Sequence, residues 1–203
     1  MIRDKKELEA LAKLTLESVC GYPSGCLKCD DKPDLQDETY SYGSEVVEDC
    51  YENEKKAERI LTSIWSMPYS DIDQKKLSKY EASGGTLKVS ENKILTASLG
   101  STSISPDHLI ETIKKKIQKL NAGGYHPFVA YGLYVFVGTT YLWDSYVLSV
   151  IDEITRIKNE KNYKIIYLDI GFEICICDIE SKTYVRKNID KELRNQLDEQ
   201  VKV

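Results

Sequence analysis

Ten consecutive residues, Phe128-Val-Ala-Tyr-Gly-Leu-Tyr-Val-Phe-Val137, carry no charge. A run this apolar must be covered on both faces, so it calls for a central strand in a layered fold. Its flanks agree. Ser105-Pro106-Asp107 opens a helix with a cap, a proline at the first position and an acid in the first turn. Ile110, Ile113, Ile117 and Leu120 give that helix its apolar stripe, and Asn121-Ala-Gly-Gly124 ends it. After the apolar run, Thr139 to Lys158 reads as a second helix with Val147, Val150, Ile151, Ile154 and Ile157 inward. Three strands follow, at 164–168, 172–177 and 182–186, with turns at Gly171 and Glu180-Ser181. The expected class is α+β: helices packed on a mixed central sheet, with an N-terminal helical region.

Upstream, residues 4–19 repeat Leu8, Leu11, Ala12, Thr15, Leu16 and Val19 at helical spacing. Residues 20–44 are rich in turn formers and read as a long loop. Ser44 is placed as the N-cap of a helix running to about Trp65. Residues 71–83 hold one short helix, and residues 86–90 and 93–98 form a hairpin around Glu91-Asn92. The expected organisation is an N-terminal helical region with a cysteine-containing loop at 1–66, a connecting region at 67–104, and an α/β core with a tail at 105–203.

The chain has 203 residues, enough for one domain or two small ones, and a formal charge of −5. That balance argues against a protein whose main task is to coat nucleic acid. The longest apolar run is about half of what a membrane helix needs, so no membrane partner is expected. The first residues lack an apolar signal region, so the expected location is the cytoplasm or a particle assembled there. With two histidines, His108 and His126, there is little material for a Ser-His-Asp triad or a multi-histidine metal centre.

Two residue groups could carry chemistry. Cys26-x-x-Cys29, with Cys20 before and Cys50 after, offers four thiolates for a tetrahedral zinc ion, although the second Cys-x-x-Cys pair of a strong zinc pattern is absent. A disulfide within the group and free thiols are the competing readings. Cys175 and Cys177 sit two apart on a strand and read as small buried side chains. Second, Asp169 followed by Glu180-Ser-Lys182 resembles the Asp…Glu-x-Lys signature of restriction-type nucleases, in which two carboxylates hold magnesium and a lysine supports the attacking water. Here that Glu-x-Lys falls at a hairpin turn, where polar turn residues are the simpler explanation.

One larger resemblance covers about half the chain. Lys119-Leu-Asn-Ala-Gly-Gly-Tyr-His-Pro-Phe-Val-Ala-Tyr131, then a helix and a strand set ending in Phe172-Glu-Ile-Cys-Ile-Cys-Asp178, is similar to the axial domain of tailed-phage major capsid proteins and encapsulin shells. The segment from Tyr69 to Thr86 resembles the stretch those shells place before their peripheral domain. The resemblance implies a self-assembling homo-oligomeric shell subunit without catalytic residues, enclosing cargo or nucleic acid. Two other readings stand beside it: a non-catalytic binding or regulatory module stabilised by zinc at Cys20, Cys26, Cys29 and Cys50, and a metal-dependent nuclease.

Overall fold

The computed structural model describes residues 3–50, 52–99, 106–138 and 141–202. In chain order the elements are α1 (Lys5–Ser18), β1 (Leu27–Cys29), β2 (Leu35–Asp37), β3 (Tyr42–Asp49), α2 (Glu52–Ile64), a 3-10 turn (Tyr69–Asp71) and α3 (Gln74–Ala82). Then come β4 (Gly85–Ser90), β5 (Lys93–Leu99), α4 (Pro106–Asn121), β6 (Ala130–Val137), α5 (Asp144–Arg156), β7 (Ile165–Asp169), β8 (Glu173–Asp178), β9 (Thr183–Asn188) and α6 (Lys191–Gln200). They divide into two units, one of Arg3–Asp49 with Ile104–Val203 and one of Cys50–Ser103. The second is therefore inserted between β3 and α4, and the boundary expected near residue 66 falls inside it.

The larger unit is built on a seven-stranded sheet of order β1-β2-β3-β6-β7-β8-β9. Its centre, β3-β6-β7, is parallel, and antiparallel strands complete both sides. The uncharged run supplies β6, the middle strand, and every residue from Tyr131 to Val137 is buried. Tyr131, Leu133, Val135 and Val137 face the core made with α4 and α5, while Tyr134 and Phe136 face the core made with α1 and α6. The strand needs no polar face because helices cover both sides. Gly132 lets the sheet accept Tyr42 from β3: a Cβ there would meet the Tyr42 ring carbon Cζ at 2.8 Å.

Helix α1 begins at Asp4, whose carboxylate accepts from Glu7 N (2.9 Å) while the Glu7 carboxylate accepts from Asp4 N (2.8 Å). This reciprocal cap fixes the helix start. The tail forms α6, capped by Asp190, and buries Leu197 against the same face.

Two expectations are corrected here. The helix placed from Ser44 is a strand up to Asp49, and the helix that follows starts at Glu52. Eight residues of β3 pair in register with Tyr42↔Ala130 through Asp49↔Val137, and that long ladder outweighs the local cap signal at Ser44. Residues 20–44 are not one loop, because they contain β1 and β2, each only three residues long.

In the inserted unit, α2 and α3 pack on the β4–β5 hairpin around Ile64, Ile72, Leu77 and Ile94. Glu91 and Asn92 both take positive φ (48° and 61°), the left-handed pair that a two-residue hairpin turn requires. Gly85 gives the Tyr80 ring room to lie on the strand, and the Tyr80 hydroxyl donates to Ser98 O (3.0 Å). Among the described residues no helix is long and apolar enough to cross a membrane.

Candidate active site

Short strand β2 carries the first functional acid at its entrance. Leu35 pairs with Ser44 and Gln36 with Gly43, and Asp34 lies just before that ladder while Glu45 follows Ser44 on β3. Both carboxylates are almost fully removed from water, at 2% and 1% exposure. Burying charges costs several kcal/mol each unless partners compensate, so each partner matters.

Asp34 Oδ2 accepts from Val46 N (2.8 Å) and Oδ1 meets Lys5 Nζ (3.0 Å). Lys5 also reaches Glu9 Oε1 at 3.0 Å, one helical turn further along α1. Lys5 is held above its ordinary range by hydrogen bonds to Asp34 and then to Glu9. The Glu9 carboxyl is pushed above its ordinary value, chiefly by burial, with the nearby Asp34 charge adding to the shift.

Glu45 is met from the other layer. Lys116 Nζ of α4 lies 2.8 Å from Glu45 Oε2 and Lys119 Nζ lies 3.5 Å from it. Glu45 Oε1 and the Tyr125 hydroxyl are both buried, and Glu45 acts on the Tyr125 phenol by its charge and by a side-chain hydrogen bond that falls short of ideal geometry. Burial pushes the Tyr125 and Tyr163 phenols up, and the charges of Glu45 and Asp34 act on both of them in the same direction. The two acids thus project their field onto one spot beside α4. Lys119 Nζ also sits 5.7 Å from the centre of the Tyr125 ring.

A second polar group occupies the far end of β3. Asp49 Oδ1 is contacted by His108 Nδ1 (2.7 Å) and accepts from Thr112 Oγ1 (2.8 Å). His108 is therefore tied to the strand.

The residues singled out by sequence fall elsewhere. Asp169 is buried and saturated: Tyr134 OH donates to Oδ2 (2.6 Å), Arg194 Nη1 donates to Oδ2 (2.9 Å) and Gly171 N donates to Oδ1 (2.7 Å). Asp169 anchors α6 to the sheet. Glu180 is exposed at the β8–β9 turn, and Lys182 holds a left-handed turn conformation with φ of 56°. The structure does not bring Asp169, Glu180 and Lys182 together as a metal site.

Cys20, Cys26 and Cys29 lie at the end of α1 and on β1, and Cys50 belongs to the inserted unit. All six cysteines are free thiols. Burial pushes the Cys20 thiol up to about 12 and raises Cys26 and Cys29 as well, so these three are not poised as thiolates. Among the described residues no group of three or more His, Cys, Asp and Glu side chains is arranged to hold a metal ion. Asp34 and Glu45 offer the hard oxygen donors that magnesium takes, its shell being completed with water and substrate phosphate.

No protein-family model, curated protein or solved structure matches the chain.

Proposed function

We propose that the Asp34–Glu45 site hydrolyses phosphodiesters of nucleic acid with a divalent cation. One observation carries this reading. Two acids with almost no solvent exposure lie in one part of the sheet, Glu45 on β3 and Asp34 just before β2, each bridged by a helical lysine, Lys116 of α4 and Lys5 of α1. Such an arrangement costs stability, and an apolar pair would fill the same space at less expense. Acids kept under those terms are candidates for chemistry.

A magnesium-type cation supplies Lewis-acid polarisation of a phosphoryl oxygen and a more acidic water. Asp34 and Glu45 are the residues that would hold it. Lys116 would offer its ammonium to the charge that builds on the phosphate. Glu9 orients Lys5, and Lys5 fixes the position of the Asp34 carboxylate. Lys119, half exposed, meets an incoming phosphate first. The test is cleavage of single- and double-stranded DNA and RNA by the whole protein in magnesium or manganese, against a chelator control and Glu45→Gln. Cleavage lost with the chelator and in the variant is expected. Metal-independent cleavage, or full activity in Glu45→Gln, contradicts the reading.

A second reading is the shell subunit that the capsid-like element order implies. One observation favours it: the β4–β5 hairpin leaves Leu95 and Val89 in solvent, a surface suited to a second copy of the chain. Light scattering after gel filtration separates the two, since a shell gives megadalton particles and an isolated enzyme gives a small oligomer.

A further inference from the structure

A cleft of about 520 Å³ opens where β6 and β7 begin, beyond the end of α5. Its inner wall is aromatic: Phe128, Tyr131 and Tyr163, all buried, with Phe128 and Tyr131 in edge-to-face contact at 5.9 Å. Phe128 extends this surface outward to Tyr40, 5.5 Å away, whose ring is half in solvent. Val129 forms an exposed lip. The size suits one small planar ligand.

The cleft borders the carboxylate site. Tyr163 lines the cleft and also donates its hydroxyl to Lys116 O (3.3 Å), on the helix that serves Glu45. Gly43, two residues before Glu45, is sandwiched: a Cβ there would lie 3.1 Å from the Phe128 ring and collide with Pro33, the neighbour of Asp34. The cleft wall is thus tied to the helix that holds Lys116 and packs on the strand that carries Glu45.

Its polar rim selects a base over a phosphate. Glu160 and Glu180 border the cleft and repel anions, while their oxygens suit the amino groups of a base. Asn162, at the same wall, has a buried Oδ1 without a donor. Lys161 and Lys164 remain for the flanking phosphates.

We infer that this cleft seats an unpaired base of single-stranded nucleic acid; this rests on the phosphodiesterase reading. A base held in a duplex cannot enter a concave aromatic pocket without leaving its stack.

The test measures fluorescence anisotropy of labelled single-stranded and duplex oligonucleotides with the whole protein in chelator. The single strand should bind at least about tenfold tighter, the scale of one base–aromatic stack. Val129→Glu, at a residue 76% exposed and therefore tolerant of change, should erase that preference while manganese affinity stays unchanged. Glu45→Gln should lose manganese and keep the single-strand preference. Equal affinity for the two substrates, or unaltered binding by Val129→Glu, overturns the inference. Intact single-strand preference with no metal-dependent cleavage sinks the phosphodiesterase reading and leaves the cleft assignment standing.

Discussion

Asp34–Glu45 and Asp169 are two answers to the same problem, an acid inside a protein. Asp169 is closed. A phenol, a guanidinium and a backbone amide fill its oxygens, and two of those partners come from its own sheet. Asp34 and Glu45 are open. Their cationic partners are lysines, flexible point charges that can be exchanged for another cation. Burial alone does not distinguish a structural acid from a reactive one; the completeness and rigidity of its partners does.

The contrast can be broken by substitution. At the open site, Glu45→Gln or Asp34→Asn should lower cleavage by about 10³-fold or more, while denaturant midpoints stay put or rise, because a costly buried charge is gone. Lys116→Ala should cost about 10²- to 10³-fold in turnover, the usual loss for one electrostatic donor, read as kcat with KM little changed. At the closed site the readout reverses. Arg194→Ala leaves Asp169 buried and uncompensated, and should cost about 3–5 kcal/mol of stability in urea unfolding. A drop below about 1 kcal/mol would show that Asp169 is not the anchor described.

The smallest effect concerns pH. Glu9 sits above its ordinary value of 4.5 because of burial. For a raised carboxyl, the stabilising contribution is full below the unfolded value and is lost as pH rises through the folded one. Glu9→Gln should therefore flatten stability on the alkaline side of 4.5. In the same variant, metal affinity should no longer fall as acid titrates Glu9. Parallel pH profiles of wild type and Glu9→Gln would remove Glu9 from the site.

Much of the fold could be read from periodicity. The apolar run is the middle strand, the helices at 4–19 and after Ser105 are present, and the 86–98 hairpin turns at Glu91-Asn92. These elements carry their own local signals. The site did not, because it depends on pairing across distance. Glu45 looked like a first-turn acid of a helix only while Ser44 looked like its cap. Once β3 pairs with β6, Glu45 becomes an acid in a buried strand, and Asp34 is buried just before three-residue β2, too short to show alternation. The clue available in the sequence was Tyr42-Gly-Ser-Glu-Val-Val47, whose β-formers Tyr42, Val46 and Val47 flank one acid. The Asp169, Glu180, Lys182 spacing was a better match to a linear pattern, but one member is structural and the others lie in a turn.

The central claim is that Asp34 and Glu45 form the open, cation-holding acid pair and Asp169 does not. Manganese titration followed by electron paramagnetic resonance, comparing wild type, Glu45→Gln and Asp169→Asn, tests it directly. The account predicts saturable binding in wild type, loss in Glu45→Gln and retention in whatever Asp169→Asn protein remains folded. Binding that survives Glu45→Gln, or disappears only in folded Asp169→Asn, would contradict it.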